Sequence, residues 1–151
     1  MKLSIVIPIY NESGNLEKLF KELYGVLDNK GFDYEILAVN DGSVDNSIDI
    51  LKSISKNNRK TKVINFSSNF GQTAAISAGI DHSSGDIVVP IDSDLENDPN
   101  DILRLIAKIN EGYDVVSGWR QQRWRGSLLT RKLPSIIANW LISKITGIKL
   151  H

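Results

Sequence analysis

The sequence predicts an α/β protein in which helices cover both faces of a mainly parallel sheet. Over its 151 residues, short β-branched apolar runs alternate with segments whose apolar residues recur every three or four positions. Steady alternation of strand and helix favours parallel neighbours, because each crossover helix packs back onto the sheet. The length is that of one ordinary domain, so we expect a single main core.

Two strand–helix pairs are predicted in the first part of the chain. Each strand is a short apolar run closed by polar or glycine residues, and each helix carries one apolar stripe. Lys30-Gly31 is expected to end the first helix, and Ser43 to cap the second. The predicted elements are a strand over 3–9, a helix from Leu16, a strand over 34–40, and a helix carrying Ile48, Leu51 and Ile54.

Two further pairs and one short strand are predicted after residue 60. The fourth strand is a continuous apolar run, which predicts burial on both of its faces. Pro99 is expected at the first position of the fourth helix, where its missing N–H is not needed. The predicted elements are a strand over 62–66, a helix over 73–81, a strand over 86–91, a helix from Asp98-Pro99 to Gly112, and a strand over 114–117.

The end of the chain differs in charge from the rest. The formal net charge is zero, with 18 basic and 18 acidic residues, yet residues 120–151 hold seven of the basic residues and no acidic one. From Pro134 to Leu150 the pattern predicts an amphipathic helix with Trp140 on its apolar side. We expect this basic segment to face phosphate or a membrane surface.

Several classes of protein are excluded or disfavoured by composition. The chain has no cysteine, which excludes disulfides, thiolate metal sites and cysteine nucleophiles, and which suits the reducing cytoplasm. The N-terminus lacks the long apolar region of a signal peptide, and no stretch approaches the roughly 20 apolar residues of a membrane span. His82 and His151 show no metal-ligand spacing.

An acidic loop follows the fourth predicted strand. Asp92 and Asp94 stand two positions apart, and Glu96 stands two further on. Carboxylates this close repel one another unless a cation or hydrogen-bond donors compensate them, and oxygen ligands suit Mg²⁺ or Mn²⁺. An isolated Asp-x-Asp is more often a plain acidic approach to a helix N-terminus. Its place after a buried strand, with other polar clusters nearby, favours the metal interpretation.

Polar clusters also follow the other predicted strands. Ligands of parallel sheets bind beyond the carboxyl ends of the strands, so we expect these clusters to form one pocket. Asp41 could accept a hydrogen bond from a base or ribose, although Asp-Gly-Ser alone is more often a tight turn. The small residues over 74–79 are better explained by close helix packing than by a phosphate-binding loop. The clusters are Tyr10-Asn11-Glu12, Asn40-Asp41-Gly42-Ser43 and Asn69-Phe70-Gly71.

Taken together, these motifs resemble those of the family 2 glycosyltransferases with the GT-A fold, and the likeness covers nearly the entire chain. The similarity is greatest to polyprenyl-phosphate sugar transferases of the dolichyl-phosphate mannose synthase and bactoprenol glucosyltransferase type, because of Arg120, Thr130–Pro134 and the predicted interfacial helix. The motifs that carry the family likeness are Ser4–Glu12, Val39–Asp45, Asn69-Phe70-Gly71, Gly85-Asp86, Asp92–Glu96 and Gly118-Trp119-Arg120.

The resemblance implies a role for individual residues. Asp92 would contact the donor, while Asp94 and Glu96 would hold Mg²⁺ or Mn²⁺ on its diphosphate; relatives usually carry Gln at position 96. Arg120 and Arg131 would bind phosphate, and Asp92, Asp94 and Arg120 would form the catalytic group. The residues implied at the nucleotide are Pro8, Tyr10, Asn11, Glu12, Val39, Asp41, Asp92 and Ser93.

The implied reaction is inverting transfer of a sugar from a nucleoside diphosphate to a polyprenyl phosphate, at the cytoplasmic face of the membrane. Residues 1–119 would bind the sugar nucleotide, and residues 120–151 would face the acceptor. A phosphate monoester is largely ionised near pH 7, so no general base is required. Relatives continue beyond position 151, so we expect a truncated chain.

Alternative functions remain open at this point. A transferase that acts on polysaccharide or other hydroxyl acceptors would need a base beyond residue 151. A catalytically silent fragment would bind the donor without turnover. A nucleotidyltransferase usually has a basic, glycine-rich loop after its first strand, where this chain is acidic. Nucleic acid is not an expected partner, because the basic segment shows no recognised binding motif.

Overall fold

Four parallel strands in the order β3-β2-β1-β4 form the central sheet. The computed structural model describes residues 1–118, of which Met1–Val116 form one unit. All three strand pairings are parallel, as predicted. The elements in chain order are β1 (Lys2–Ile9), α1 (Leu16–Asn29), β2 (Asp33–Asn40), α2 (Ser47–Asn57), β3 (Thr61–Asn65), α3 (Gln72–Asp81), β4 (Ile87–Pro90) and α4 (Asp101–Asn110).

Side-chain alternation along β1 separates two layers of helices. Successive residues of a strand point to opposite faces. Leu3, Ile5 and Ile7 face a core that also contains buried side chains of α1, α2 and α4, whereas Val6 faces α3 on the other side of the sheet. Complete burial of one such aliphatic side chain stabilises the fold by about 1.5–3 kcal/mol. Helices therefore cover both faces, as predicted.

Small residues on α3 bring this helix close to the sheet. Ala75 and Gly79 are buried. A Cβ atom added to Gly79 would lie 2.3 Å from Cγ1 of Val6, which is too close for any real contact. This geometry confirms that the small residues over 74–79 serve helix packing.

Two helices begin later than predicted. α2 begins at Ser47 rather than after Ser43, whose Oγ instead accepts the N–H of Asn11. The N-cap residue is Asn46, whose side chain makes no capping hydrogen bond, and Oδ1 of the preceding Asp45 accepts the N–H of Ser47. Pro99 precedes α4, whose first residue is Asp101. Both predictions were wrong: Ser43 contacts the loop after β1, and Pro99 lies in the turn that precedes α4.

The burial of β4, and the absence of a strand beside it, also differ from the prediction for residues 1–118. Val89 is buried, but Ile87 and Val88 are only half-buried and Pro90 is exposed. Within residues 1–118, β4 pairs with β1 alone and forms an edge of the sheet. Residues 114–117 form no strand in that range. An apolar run indicates strand propensity, but burial also depends on what packs beside the edge of the strand and over each of its faces.

The rest of the chain lies outside the described residues. Those residues include Arg120, Arg131 and the predicted helix over 134–150. Within residues 1–118, no helix is long and apolar enough to cross a membrane.

A buried carboxylate lies at the amino ends of the strands, opposite the polar clusters. Glu35 on β2 is 3% exposed. It accepts hydrogen bonds from Oγ of Ser4 at 2.8 Å, from the backbone and hydroxyl of Ser84, and from Nζ of Lys62 at 2.7 Å. A buried charge is tolerated when it is paired and hydrogen-bonded in this way. Glu35 on β2 therefore links β1, β3 and the segment before β4 near the amino ends of the strands.

Acid is expected to destabilise the protein through Glu35. Burial alone would raise the pKa of Glu35, but hydrogen bonds from Lys62, Ser84 and Ser4 outweigh burial and lower the pKa from 4.5 to about 2. Because the folded-state pKa is depressed, the stabilisation is complete above pH 4.5 and is lost as the pH falls towards 2. It amounts to about 3 kcal/mol. Urea unfolding at pH 7, 4 and 3 measures it.

The matched variants are Glu35→Gln and Glu17→Gln, the latter at an exposed position on α1. Glu35→Gln should be less stable at pH 7 and should lose less free energy of unfolding on acidification than the wild type. Glu17→Gln should follow the wild-type profile. Identical pH profiles for Glu35→Gln and wild type would contradict the assignment.

Candidate functional site

A cavity of about 350 Å³ opens at the carboxyl ends of the strands. This volume lies within the range of small-molecule sites. Parallel strands place their carboxyl ends at one edge, so loops that are distant in sequence meet there. The cavity is lined by Pro8, Ile9, Tyr10, Glu12, Asp41, Asn69, Gly71, Gln72, Asp92, Ser93 and Asp94.

Carboxylates dominate the charge of this cavity. Glu12 follows β1, Asp41 follows β2, and Asp92 and Asp94 follow β4. No lysine or arginine of the described residues lines it. Like charges gathered this closely favour a bound cation or hydrogen-bond donors of a ligand. The sequence correctly predicted that these four side chains share one pocket.

Asp41 is held in place by backbone donors. Its side chain is buried, with 3% of the residue exposed. Oδ1 accepts the N–H of Phe70 at 2.7 Å, and Oδ2 accepts the N–H of Gly71 at 2.9 Å. Hydrogen bonds to a carboxylate are about twice as strong as those between neutral groups. The loop after β3 is thereby fixed against the end of β2.

Gly42 allows the same two loops to touch. Its φ is +63°, a conformation that residues with a Cβ rarely adopt. An added Cβ would lie 2.3 Å from the carbonyl carbon of Ser68 and 2.5 Å from the nitrogen of Asn69. Because both atoms belong to the backbone, neither can move aside as a flexible side chain would. Only glycine fits here.

Asn11 joins the loop after β1 to the loop after β2. Its N–H donates to Oγ of Ser43 at 3.0 Å, and its Oδ1 accepts the N–H of Val44 at 2.9 Å. It adopts a positive φ of 56°, which asparagine tolerates better than most residues. Asn11 is not among the residues that line the cavity. Its structural contribution is to brace the two loops.

Asp45 strengthens the same junction. It accepts the N–H of Ser13 with Oδ2 and the N–H of Ser47 with Oδ1, both at 3.0 Å. Burial alone would raise the pKa of Asp45, but hydrogen bonds from Ser47 and Ser13 lower it to about 2. The carboxyl group of Asp45 therefore stays ionised throughout the neutral pH range.

The acidic loop makes two side-chain contacts with its surroundings and one within itself. Oδ1 of Asp92 accepts a hydrogen bond from Nε2 of Gln72 at 2.7 Å. Oγ of Ser93, which is buried, donates to the carbonyl of Pro8 at 3.1 Å. Oδ1 of Asp94 accepts the N–H of Glu96 at 2.9 Å, closing a turn around the positive φ of Leu95. Asp94 itself is exposed to the cavity.

Glu96 lies on the other side of this turn. It lines a second cavity of about 710 Å³ between α1 and the segment that leads into α4. The structure thus places Asp94, but not Glu96, in the lining of the first cavity. Within residues 1–118, no group of three or more histidine or acidic side chains forms a ready metal cage. The pairing of Asp94 with Glu96 on a metal stays a prediction.

The donor set nevertheless fits one kind of metal site. Asp92 and Asp94 offer oxygen ligands only. Mg²⁺ commonly binds to one or two carboxylates and completes its shell with substrate phosphates and water. The residues present suit a divalent ion that arrives with a diphosphate better than a permanently bound one.

Most of the predicted nucleotide residues meet at the cavity, and two do not line it. Val39 is fully buried within β2, and Asn11 braces the loops. The structure also brings in Asn69, Gly71 and Gln72, for which no role was assigned. For Asn69 and Gly71 the polar cluster after β3 was the available signal, since it stands at the same end of the sheet as the others. The predicted nucleotide residues that line the cavity are Pro8, Tyr10, Glu12, Asp41, Asp92 and Ser93, and the predicted metal ligand Asp94 lines it as well.

Comparison with known proteins gives a consistent set of matches. An uncharacterized glycosyltransferase from Synechocystis sp. is 43% identical over 150 residues, which are 99% of this chain and 47% of that protein. Glucosyl-3-phosphoglycerate synthase from Mycobacterium tuberculosis, solved with Mn²⁺, UDP and glucosyl-3-phosphoglycerate, superposes with a TM-score of 0.68 at 21% identity. That match covers 97% of this chain and 50% of the synthase.

A second solved structure has the same fold. It is the mannosyltransferase PcManGT from Pyrobaculum calidifontis in complex with GDP-Man and Mn²⁺, with a TM-score of 0.54 and 21% identity, covering 61% of this chain and 27% of that one. The chain therefore spans about half the length, or less, of these relatives.

The fold agrees with the predicted GT-A architecture, since the structural neighbours are glycosyltransferases with a comparable sheet. The sequence profile of glycosyl transferase family 2 matches residues 4–148, which is nearly the whole chain. The motifs, the acidic cavity and this match lead to one conclusion: the chain belongs to glycosyl transferase family 2.

Proposed function

We propose that this chain is the donor-binding part of an inverting glycosyltransferase that moves a sugar from a nucleoside diphosphate to a polyprenyl phosphate. The observation that carries the donor part is the acidic cavity at the strand ends, where Asp41 and the Asp92-Ser93-Asp94 loop face one another. The neighbours in complex with UDP or GDP-Man support a sugar nucleotide as the ligand.

Different residues of the cavity contact different parts of the donor. Asp41 is preoriented by two backbone N–H groups and can accept a hydrogen bond from the nucleoside. Tyr10, which is 47% exposed, offers its ring at the cavity mouth. Asp92 contacts the donor, with one oxygen already oriented by Gln72. Preorganised groups of this kind bind without the cost of ordering side chains.

The proposal includes a divalent metal ion that binds together with the donor. Asp94 would hold it in the cavity, and Glu96 stays a candidate second ligand from the far side of the turn. When bound, Mg²⁺ or Mn²⁺ stabilises negative charge on a leaving diphosphate. Both structural neighbours contain Mn²⁺, which supports a divalent ion without deciding between the two.

The acceptor assignment is supported by the sequence beyond the described residues. Arg120 and Arg131 are candidates for phosphate binding, because guanidinium groups match phosphate oxygens. A phosphate acceptor is already ionised near neutral pH, so the cavity needs no general base. The synthase from Mycobacterium tuberculosis was solved with glucosyl-3-phosphoglycerate, so a hydroxyl-acceptor transferase is the second candidate.

Donor binding is tested by calorimetric titration of UDP-glucose, UDP-N-acetylglucosamine and GDP-mannose, with and without Mn²⁺. The wild type should bind at least one of them more tightly when Mn²⁺ is present. Asp94→Ala should lose this metal-dependent gain, because it removes a metal ligand. Asp81→Ala, an exposed carboxylate at the end of α3, is the matched control and should retain it. Metal-independent or absent binding of all three would sink the proposal.

Membrane association at the cytoplasmic face forms a separate part of the proposal. It is supported by the apolar side of the predicted helix over 134–150 and by the basic residues around it. In flotation with anionic liposomes, the wild type should rise with the vesicles and Trp140→Asp should remain behind. Asn139→Asp adds the same charge at a predicted polar position and should float. Equal behaviour of wild type and Trp140→Asp would remove the support.

A further inference from the structure

Gln72 connects two loops of the acidic cavity. It is the first residue of α3, and its side chain lines the cavity. Its Nε2 donates to Oδ1 of Asp92 at 2.7 Å, across 20 residues of sequence. A hydrogen bond to a carboxylate is stronger than one between neutral groups. Gln72 therefore orients Asp92 although neither side chain belongs to the core.

The residues just before Gln72 hold the opposite wall of the cavity. The N–H groups of Phe70 and Gly71 bind the two oxygens of Asp41 at 2.7 and 2.9 Å. Gly71 has a φ of +93°, and this turn leads the chain from the donor N–H groups into α3, which begins at Gln72. One three-residue segment thus contacts both Asp41 and Asp92, which come from different strand ends.

The chemistry of Gln72 suits this position. A lysine or arginine there would pair with Asp92 and cancel its charge. An amide donates a hydrogen bond but carries no charge, so the cavity keeps its negative potential. The arrangement orients the carboxylate while leaving it able to attract a cation or a hydroxyl donor.

We propose that Gln72 is a positioning residue for sugar-nucleotide binding, and that residues 70–72 set the relative placement of Asp41 and Asp92 across the cavity. The inference rests on the proposed function, because it requires Asp92 to contact the donor. Gln72 acts through Asp92 and not on the donor itself. Its removal should therefore matter only while Asp92 is present.

A double-mutant cycle tests this dependence. The donor is whichever of UDP-glucose, UDP-N-acetylglucosamine and GDP-mannose the wild type binds most tightly with Mn²⁺. Gln72→Ala should weaken its affinity about 10-fold, the size of effect expected for loss of one hydrogen bond to a charged group. In the Asp92→Ala background, Gln72→Ala should change affinity by less than about 2-fold, since coupled residues are not additive.

Two further variants complete the experiment. Gln72→Glu preserves the shape of the side chain but places a second carboxylate against Asp92, so it should bind the donor more weakly than Gln72→Ala. Thr73→Ala changes the neighbouring exposed residue of α3 and should bind like the wild type. Thermal unfolding should show native-like transitions for all of them, because Gln72 is exposed.

The outcomes separate this inference from the proposed function. If the wild type binds a donor but Gln72→Ala binds equally well, or if the losses of Gln72→Ala and Asp92→Ala simply add, the positioning role is overturned and donor binding stands. If the wild type binds none of the three sugar nucleotides, the proposed function fails and this inference fails with it. A coupled loss in the cycle, with Gln72→Glu weaker still, supports both.

Discussion

Gly42→Ala is expected to lower the free energy of unfolding by about 2–5 kcal/mol and to abolish donor binding. Two costs combine. A Cβ at positive φ costs roughly 1–2 kcal/mol, and overpacking against neighbouring atoms costs a further 1–3 kcal/mol or so. The added atom would lie 2.3 Å from the backbone of Ser68. This clash can be relieved only if the loop after β3 moves away from Asp41. That loop supplies the two N–H groups that hold the carboxylate of Asp41.

Gly31→Ala separates these two costs. Gly31 also has a positive φ, of +67°, but an added Cβ there meets no atom within 4 Å. It lies between α1 and β2, at the end of β2 opposite to Asp41. We expect Gly31→Ala to lose only about 1 kcal/mol and to bind donor normally. Urea unfolding and the same donor titration measure both effects, and equal stability losses for the two variants would contradict the close approach.

Asp41→Ala is expected to reduce donor affinity at least about 100-fold and to destabilise the protein by about 3 kcal/mol. The side chain is buried, and its removal leaves the N–H groups of Phe70 and Gly71 without their acceptor. Hydrogen bonds to charged groups contribute about 1.5–3 kcal/mol each, and stranded donors add a penalty. The loss therefore affects both the loop and the donor contact.

Asp41→Asn tests whether charge or shape matters more. Its single amide oxygen can accept one of the two N–H groups, while its NH₂ group opposes the other. We expect an intermediate stability and a donor affinity close to that of Asp41→Ala. Asp81→Ala controls for general loss of an exposed carboxylate. Wild-type donor binding by Asp41→Ala would remove Asp41 from the nucleoside site.

Much of the fold was predictable because its causes are local. The apolar run over 3–9 has the length of a buried strand, and the apolar residues from Leu16 to Leu27 recur at the three- and four-residue spacing of a helix. Their alternation restricts the topology to a parallel sheet with few variants. The ends of elements were less predictable: Ser43 contacts the loop after β1 instead of capping α2, and Pro99 lies in the turn before α4 instead of in its first position.

The cavity shows the same division. The acidic loop and Asp41 were recognisable in the sequence because each follows a buried strand, and parallel strands bring such positions to one edge. Gln72 carried no such signal. Its importance depends on Asp92, 20 residues away, lying 2.7 Å from its amide nitrogen. No local pattern records a contact that forms only when two loops pack together.

The amino-acid sequence thus determined the family, the parallel sheet and the edge at which the carboxylates gather, since these follow from periodicity and from motifs along the chain. Only the tertiary structure decided how the loops around the cavity contact one another. It placed Gly42 against the backbone of Ser68, gave Asp41 its two N–H donors, and placed Glu96 in the lining of a different cavity from Asp94. These are distances between segments remote in sequence, and only the packed chain sets them.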